Sequence, residues 1–320
     1  MLRRGSATRF AAGRLLATGA LLLALSFIVF ALLYLMPGDP AKNLLGVRSS
    51  SPEVLAQVRA QYHLDDSFLL QYLHWLGSVV RGDFGQSIRS DESVLSLLGS
   101  RVALTLELVT YAFIVTVVFA VPLGVLSAWR AGGVLDRAAS TAAIVGVGAP
   151  SFAVGLLLLY VFGLQFGLFP IYGSGSSGLE RFTHLTLPAL TLAIGLGALV
   201  LKLTRTAVIA ELDQDYVAFA RSRGLTDRRI QTMVLRNALL PVITSLGLVF
   251  TFLFGGTILV EITFALPGIG SLLANSVTYK DVPVVQAITL LTAGVIALVA
   301  LIVDLLYFAV DPRVRKRAAA

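Results

Sequence analysis

Cysteine is absent from the 320 residues, which excludes disulfides, thiolate metal sites and cysteine nucleophiles at once. Charge is scarce as well. Asp, Glu, Lys and Arg make up 13% of the chain, and 57% is hydrophobic. With a mean hydropathy of +0.85, the composition lies outside the range of soluble globular domains and points to an integral membrane protein. Only four lysines occur, Lys42, Lys202, Lys280 and Lys316. None follows a glycine, so there is no G-x-x-x-x-G-K phosphate loop and no nucleotide hydrolysis by that route. The histidines His63, His74 and His184 stand apart in sequence and none opens H-E-x-x-H. They read as surface or interfacial imidazoles, and no metal site is expected. No serine sits in G-x-S-x-G, and no catalytic residue is nominated.

What is present is a series of apolar runs. A polar tail, 1–14, carries Arg3, Arg4, Arg9 and Arg14 ahead of a first span at 15–36, close to the ~20 residues that cross a bilayer. Pro37-Gly-Asp-Pro40 stops it. Residues 37–100 form the one long polar region, with Asp65-Asp66 and the aromatics Tyr62, Phe68, Tyr72 and Trp75. It is expected to be a small external helical insert lying on the membrane. A five-helix domain, 101–310, follows. Its second span, 101–129, is expected to be interrupted by Pro122-Leu-Gly124, and the third, reaching Phe169, to contain Gly146, Gly148 and Pro150. The fourth covers about 184–204, the fifth 239–262 and the sixth 285–309, with loops at 170–183 and 263–284 and a basic tail at 311–320. Gly173-Ser-Gly-Ser-Ser-Gly178 matches G-x-G-x-x-G, yet it follows a membrane helix rather than a strand and reads as a loop.

The distribution of basic residues orients the chain. Most of its 25 Lys and Arg fall in segments that six spans with both termini cytoplasmic place inside, as the positive-inside bias requires. The net charge of +7 then needs no nucleic acid to explain it. Three carboxylates near the spans, Glu107, Glu261 and Asp304, are intramembrane polar candidates, each close enough to an interface to snorkel or to pair.

One loop, 205–238, is a charged island. Asp213 and Asp215 precede Arg221 and Arg223, which suits a helix dipole, and Gly224 stands where a C-terminal glycine cap belongs. Tyr216, Phe219 and Ala220 fall at i, i+3 and i+4, the spacing of one apolar face. Thr226 is placed to cap a second helix on which Ile230, Met233, Val234 and Ala238 recur at helical spacing. This pattern suits a docking element for a water-phase partner. It also suits an interfacial helix on lipid headgroups.

This segment, Asp215-Tyr-Val through Arg221-Ser-Arg-Gly224 to Leu240-Pro241, resembles the EAA loop of permease subunits of ATP-binding cassette importers, in particular the dipeptide/oligopeptide/nickel branch. Pro37-Gly-Asp-Pro40, Gln71-Tyr-Leu-His-Trp-Leu76, Gly82-Asp-Phe-Gly85, Leu266-Pro-Gly-Ile-Gly270, Asp281-Val-Pro-Val-Val-Gln286, Asp304-Leu-Leu-Tyr307 and Asp311-Pro-Arg313 are similar to the same branch in the same order. Ala218 departs from the general pattern, which has glutamate there. The resemblance implies an all-α permease of six transmembrane helices in a prokaryotic cytoplasmic (inner) membrane. Tyr216, Val217, Ala218, Phe219, Ala220, Arg221, Arg223 and Gly224 would couple it to an ATPase, and Phe264, Leu266, Pro267, Gly268 and Gly270 would form an external loop facing a binding protein or the path. The implied partners are a homologous second permease, two ATPase subunits that bind ATP and Mg, an external substrate-binding protein and lipid, with no cofactor on this chain. Peptides are the implied cargo, with nickel chelates, glutathione or oligosaccharides as alternatives. An ion-driven transporter or channel is the rival class.

Overall fold

A computed structural model describes residues 4–35, 38–45, 51–61 and 63–310. Pro37, Tyr62 and the tail motif Asp311–Arg313 lie outside the described residues. Twelve helices follow in chain order among those residues: α1 Arg4–Leu35, α2 Pro40–Leu45, α3 Pro52–Gln61, α4 Phe68–Val80, α5 Val94–Trp129, α6 Val134–Gly148, α7 Ser151–Leu158 with a π-helical continuation Leu159–Gln165, α8 Gly178–Leu212, α9 Asp215–Ser222, α10 Asp227–Thr263, α11 Ile269–Thr278 and α12 Val282–Val310. Five of them are long and apolar enough to cross a membrane, and a sixth span results if the bent pair α6–α7 counts as one.

Several helices outrun the apolar runs that reveal them. The second span begins at Val94, and α5 carries Pro122 without a break. α8 holds Pro188 and extends to Leu212. α10 fuses the polar segment from Asp227 with the fifth span and passes through Pro241. Membrane helices tolerate proline where neighbouring groups re-satisfy the freed carbonyl. Pro150 behaves differently. The residue before a proline is pushed out of the helical region, Ala149 is extended (φ −79, ψ 125), and α6 and α7 meet there at 107°. The stretch expected as the third span is therefore sharply bent there and not one continuous helix. The expected loop 263–284 likewise contains a helix, α11.

The chain forms two units, one from Leu106–Leu266 with the chain after Ile302, the other from Thr8–Thr105 with Pro267–Leu301. In the first, α8 packs against α6, α7 and α10. Its most apolar stretch is 61% buried, against 33% for α5 and α10, which makes α8 the hub. Glycines set the spacing around it: a Cβ on Gly124 would stand 2.7 Å from the Leu201 carbonyl oxygen and 2.8 Å from Thr204 Cβ, and one on Gly146 would stand 2.9 Å from Ala198 Cβ. Packing this close is how membrane helices associate when no hydrophobic drive separates them from lipid.

In the second unit the insert is bound to the first span by aromatics. Phe68, Tyr72 and Trp75 of α4 meet Phe30 of α1 at centroid distances of 5.4 to 5.6 Å, and the Tyr72 hydroxyl lies 2.8 Å from Ser26 Oγ. Ring pairs at this range add to their area burial. The Ala41 amide, and after it the Arg59 guanidinium, hold the Asp39 carboxyl below the usual carboxylate range. Two motifs far apart in sequence also meet here: Ser87 donates to Asp281 Oδ2 at 2.5 Å and the Ile88 amide to Oδ1 at 3.1 Å. The insert is thus packed against the first span within this unit.

Candidate functional site

The polar island resolves into helix, turn and helix. Gln214, extended at ψ 145, precedes α9, and Asp215 and Arg221 occupy its first and last turns, each favourable to the dipole. Its end is a Schellman motif. The Gly224 amide donates to Arg221 O at 2.9 Å and the Leu225 amide to Ala220 O at 3.2 Å, with Gly224 at φ +74, the left-handed conformation glycine adopts without a Cβ penalty. Thr226 does precede α10, yet its side chain makes no capping bond. Its carbonyl oxygen accepts from Arg229 and Ile230 instead.

The inner face of α9 differs from the expected one. Val217 and Ala220, 1% and 5% exposed, pack with Ala128 of α5, Val208 of α8 and Ile230, Val234 and Ala238 of α10. Tyr216 is half-buried and donates to Glu211 Oε2 at 2.8 Å. Burial, and then that carboxylate, push its phenol above the ordinary range. Phe219 belongs to the other side: it is 62% exposed, and the Arg223 guanidinium carbon lies 5.4 Å from its ring centroid. Ala218, Arg221, Arg223 and Gly224 are exposed with it. Only the small side chains fit the close seat on the bundle, and the large aromatic is left outside.

The ends of α5 and α8 also carry a polar cluster that no sequence motif announces. Arg205 grips Asp136 in two places, Nε to Oδ1 at 2.5 Å and a terminal nitrogen to Oδ2 at 2.8 Å. Ser127 Oγ donates to the same Oδ1 at 2.5 Å and the Gly132 amide to Oδ2 at 2.8 Å. The Asp136 side chain is 6% exposed and that of Arg205 28%. The paired fork geometry is the strong form of an ion pair, and it ties the end of α5, the following turn, the start of α6 and the late part of α8 into one block. Their 69-residue separation conceals the pairing in the sequence.

The other nominated residues divide. Glu107 pairs with Arg181 at 3.1 Å. Glu261 is 1% exposed on α10, and Asp304 is half-buried on α12. Of the five residues expected in the external loop, Phe264, Leu266, Gly268 and Gly270 are buried and Pro267 is exposed. Phe264 rests on Gly155, where a Cβ would come within 3.1 Å of its ring. The three histidines are not all apart in space, since the His63 and His74 rings lie 4.2 Å apart between centroids, tilted by 44°.

Residues 120–316 match the family described as "Binding-protein-dependent transport system inner membrane component", and residues 7–109 match its N-terminal companion. The chain belongs to this family. It is an inner-membrane permease of a peptide-type ABC importer. The permease is 35% identical over 306 residues to "Probable peptide ABC transporter permease protein y4tP" of Sinorhizobium fredii, spanning 94% of this chain and 97% of that one. To "Glutathione transport system permease protein GsiC" of Escherichia coli K12 it is 37% identical over 304 residues, again covering 94% and 97%. In fold it is similar to the inward-facing MetNI methionine ABC transporter, with a TM-score of 0.55 at 17% identity over 68% of this chain and 97% of that one. As a family member the permease is a transport component that works with ATPase subunits and a substrate-binding protein. The EAA resemblance of 215–241 thus falls inside the matched region, and the alanine at 218 sits exposed on α9, where no charge has to be accommodated within the fold.

Proposed function

We propose that this permease imports peptides and that α9 is the coupling helix through which an ATPase moves it. The observation that carries the reading is the division of α9 into two faces. Val217 and Ala220 are locked into the ends of three long helices, while Phe219, Arg221 and Arg223 are presented outward. An exposed aromatic beside arginines is the composition of an interface anchor. A rigid seat on the other side lets displacement of α9 carry α5, α8 and α10 together. Under this reading 205–238 faces the cytoplasm, in keeping with its basic residues, and two ATPase subunits that bind ATP and Mg dock there. A second, homologous permease completes the path, and the external binding protein delivers cargo on the opposite side. The names of relatives that transport peptide and glutathione support a peptide cargo. ATP binding shifts alternating access only through contacts that differ between the two states.

The absence of cysteine makes the test direct. In the assembled importer, Phe219→Cys is expected to form a crosslink to an ATPase subunit whose yield changes at least threefold on adding ATP. Leu179→Cys, 79% exposed at the other end of α8, is expected to form none. Failure of Phe219→Cys to label the ATPase, with labelling from Leu179→Cys, would reverse the assigned sidedness.

A further inference from the structure

The paired histidines of the insert belong to a cluster outside the α9 site. His63 lies in the turn after α3, Asp66 in the same turn, and His74 on α4; one ligand atom from each falls within 4.8 Å of the others. His63 Nδ1 is 3.6 Å, and His74 Nδ1 3.5 Å, from the same Asp66 Oδ2. Donors bound at ~2.0–2.1 Å in a tetrahedron stand about 3.3 Å apart, so convergence on one ion needs small side-chain rotations and no backbone movement.

The support around these groups is built for position. The Gln71 side chain, buried on α4, donates one hydrogen to Leu64 O at 3.0 Å and the other to Asp66 O at 2.7 Å. It thereby pins the turn one helical turn before His74. The Asp66 amide donates to His63 O at 3.1 Å. α3 closes with the His63 amide on Ala60 O at 3.4 Å and the Leu64 amide on Arg59 O at 2.9 Å, the pattern whose left-handed residue is usually glycine. Here that residue is His63, at φ +53. A side chain held in a conformation that glycine would adopt freely is strain retained at a position, and what the strain delivers is an imidazole against a second imidazole and a carboxylate. His63 and His74 also line a cavity of about 550 Å³, together with Tyr34, Arg81 and Gln286.

We propose that His63, Asp66 and His74 bind a divalent transition metal of the zinc class. Two imidazoles and one carboxylate are a recognised donor set for zinc when a further position stays open. The side chains are 52%, 40% and 48% exposed, which leaves that position to water or to a donor entering from the cavity. The bound ion would clamp the turn after α3 onto α4.

The test uses the full chain in nanodiscs, free of any affinity tag, titrated calorimetrically with zinc chloride and followed by cobalt absorbance. One ion per chain is expected, with affinity at least tenfold weaker in His74→Gln and unchanged in His184→Gln, whose imidazole bonds Gly173 O instead. His63→Gly separates binding from folding. It supplies the residue the turn favours, so melting without metal is expected at the same temperature or higher, while the zinc-induced rise expected of the unaltered chain disappears. Absence of saturable binding, binding unaltered in His63→Gly or His74→Gln, or loss in His184→Gln would each overturn the site.

Discussion

Ala220→Asp is expected to abolish ATP-driven uptake by the reconstituted importer, at least a hundredfold, with membrane insertion unchanged. Ala220 is 5% exposed among the apolar side chains of Val208, Val217, Ile230 and Val234. A carboxylate cannot stay charged there without a partner, so α9 leaves its seat or the group enters as the neutral acid and overfills it. Insertion is spared because α9 is eight residues long and no part of a span. Ala220→Ser, nearly equal in volume, is expected to retain most of the uptake. Gly224→Val provides a graded comparison. Nothing lies within 4 Å of its Cβ position, so the penalty is the left-handed backbone alone, roughly 1–2 kcal/mol, and a partial loss is expected. Uptake by Ala220→Asp at the unaltered rate would remove the seat of α9 from the mechanism.

The contrast between these two positions shows how far residue pattern reaches. Gly224 was legible because a glycine after a short amphipathic run has a specific backbone reason. The face of α9 was not, because i, i+3, i+4 spacing counts apolar residues without regard to size. The seat accepts Val217 and Ala220 and turns Phe219 outward. Hydropathy likewise locates the spans but not the helix ends. Polar residues after Thr204 and before Leu239 continue α8 and α10, since backbone hydrogen bonding does not stop where lipid does. Among the described residues, Pro122, Pro188 and Pro241 ride inside helices while the break between α6 and α7 falls at Pro150, a difference that a single sequence does not display. The pairings Asp136 with Arg205, Ser87 with Asp281 and His63 with His74 are tertiary and leave no local mark.

Asp136→Ala is expected to give the largest loss of stability of any single change at the α5–α6 turn. Without the carboxylate, Arg205, Ser127 Oγ and the Gly132 amide lose their shared acceptor. Removing one partner of a buried ion pair costs about 3–5 kcal/mol, and the partial exposure of Arg205 places this case toward the lower end. The thermal midpoint in nanodiscs should fall by several degrees, and uptake should fall with it. Replacing both partners by apolar groups of similar volume often recovers what the single change loses, so Asp136→Leu with Arg205→Met is expected to restore the midpoint to near its original value. Uptake is the deciding readout in that double variant. If the charged fork makes the ends of α5, α6 and α8 move as one body under α9, the double variant hydrolyses ATP normally yet transports poorly. Full uptake would reduce the fork to a structural role, and an Asp136→Ala protein as stable as the original would deny it even that, because three donors left without an acceptor would then have cost nothing.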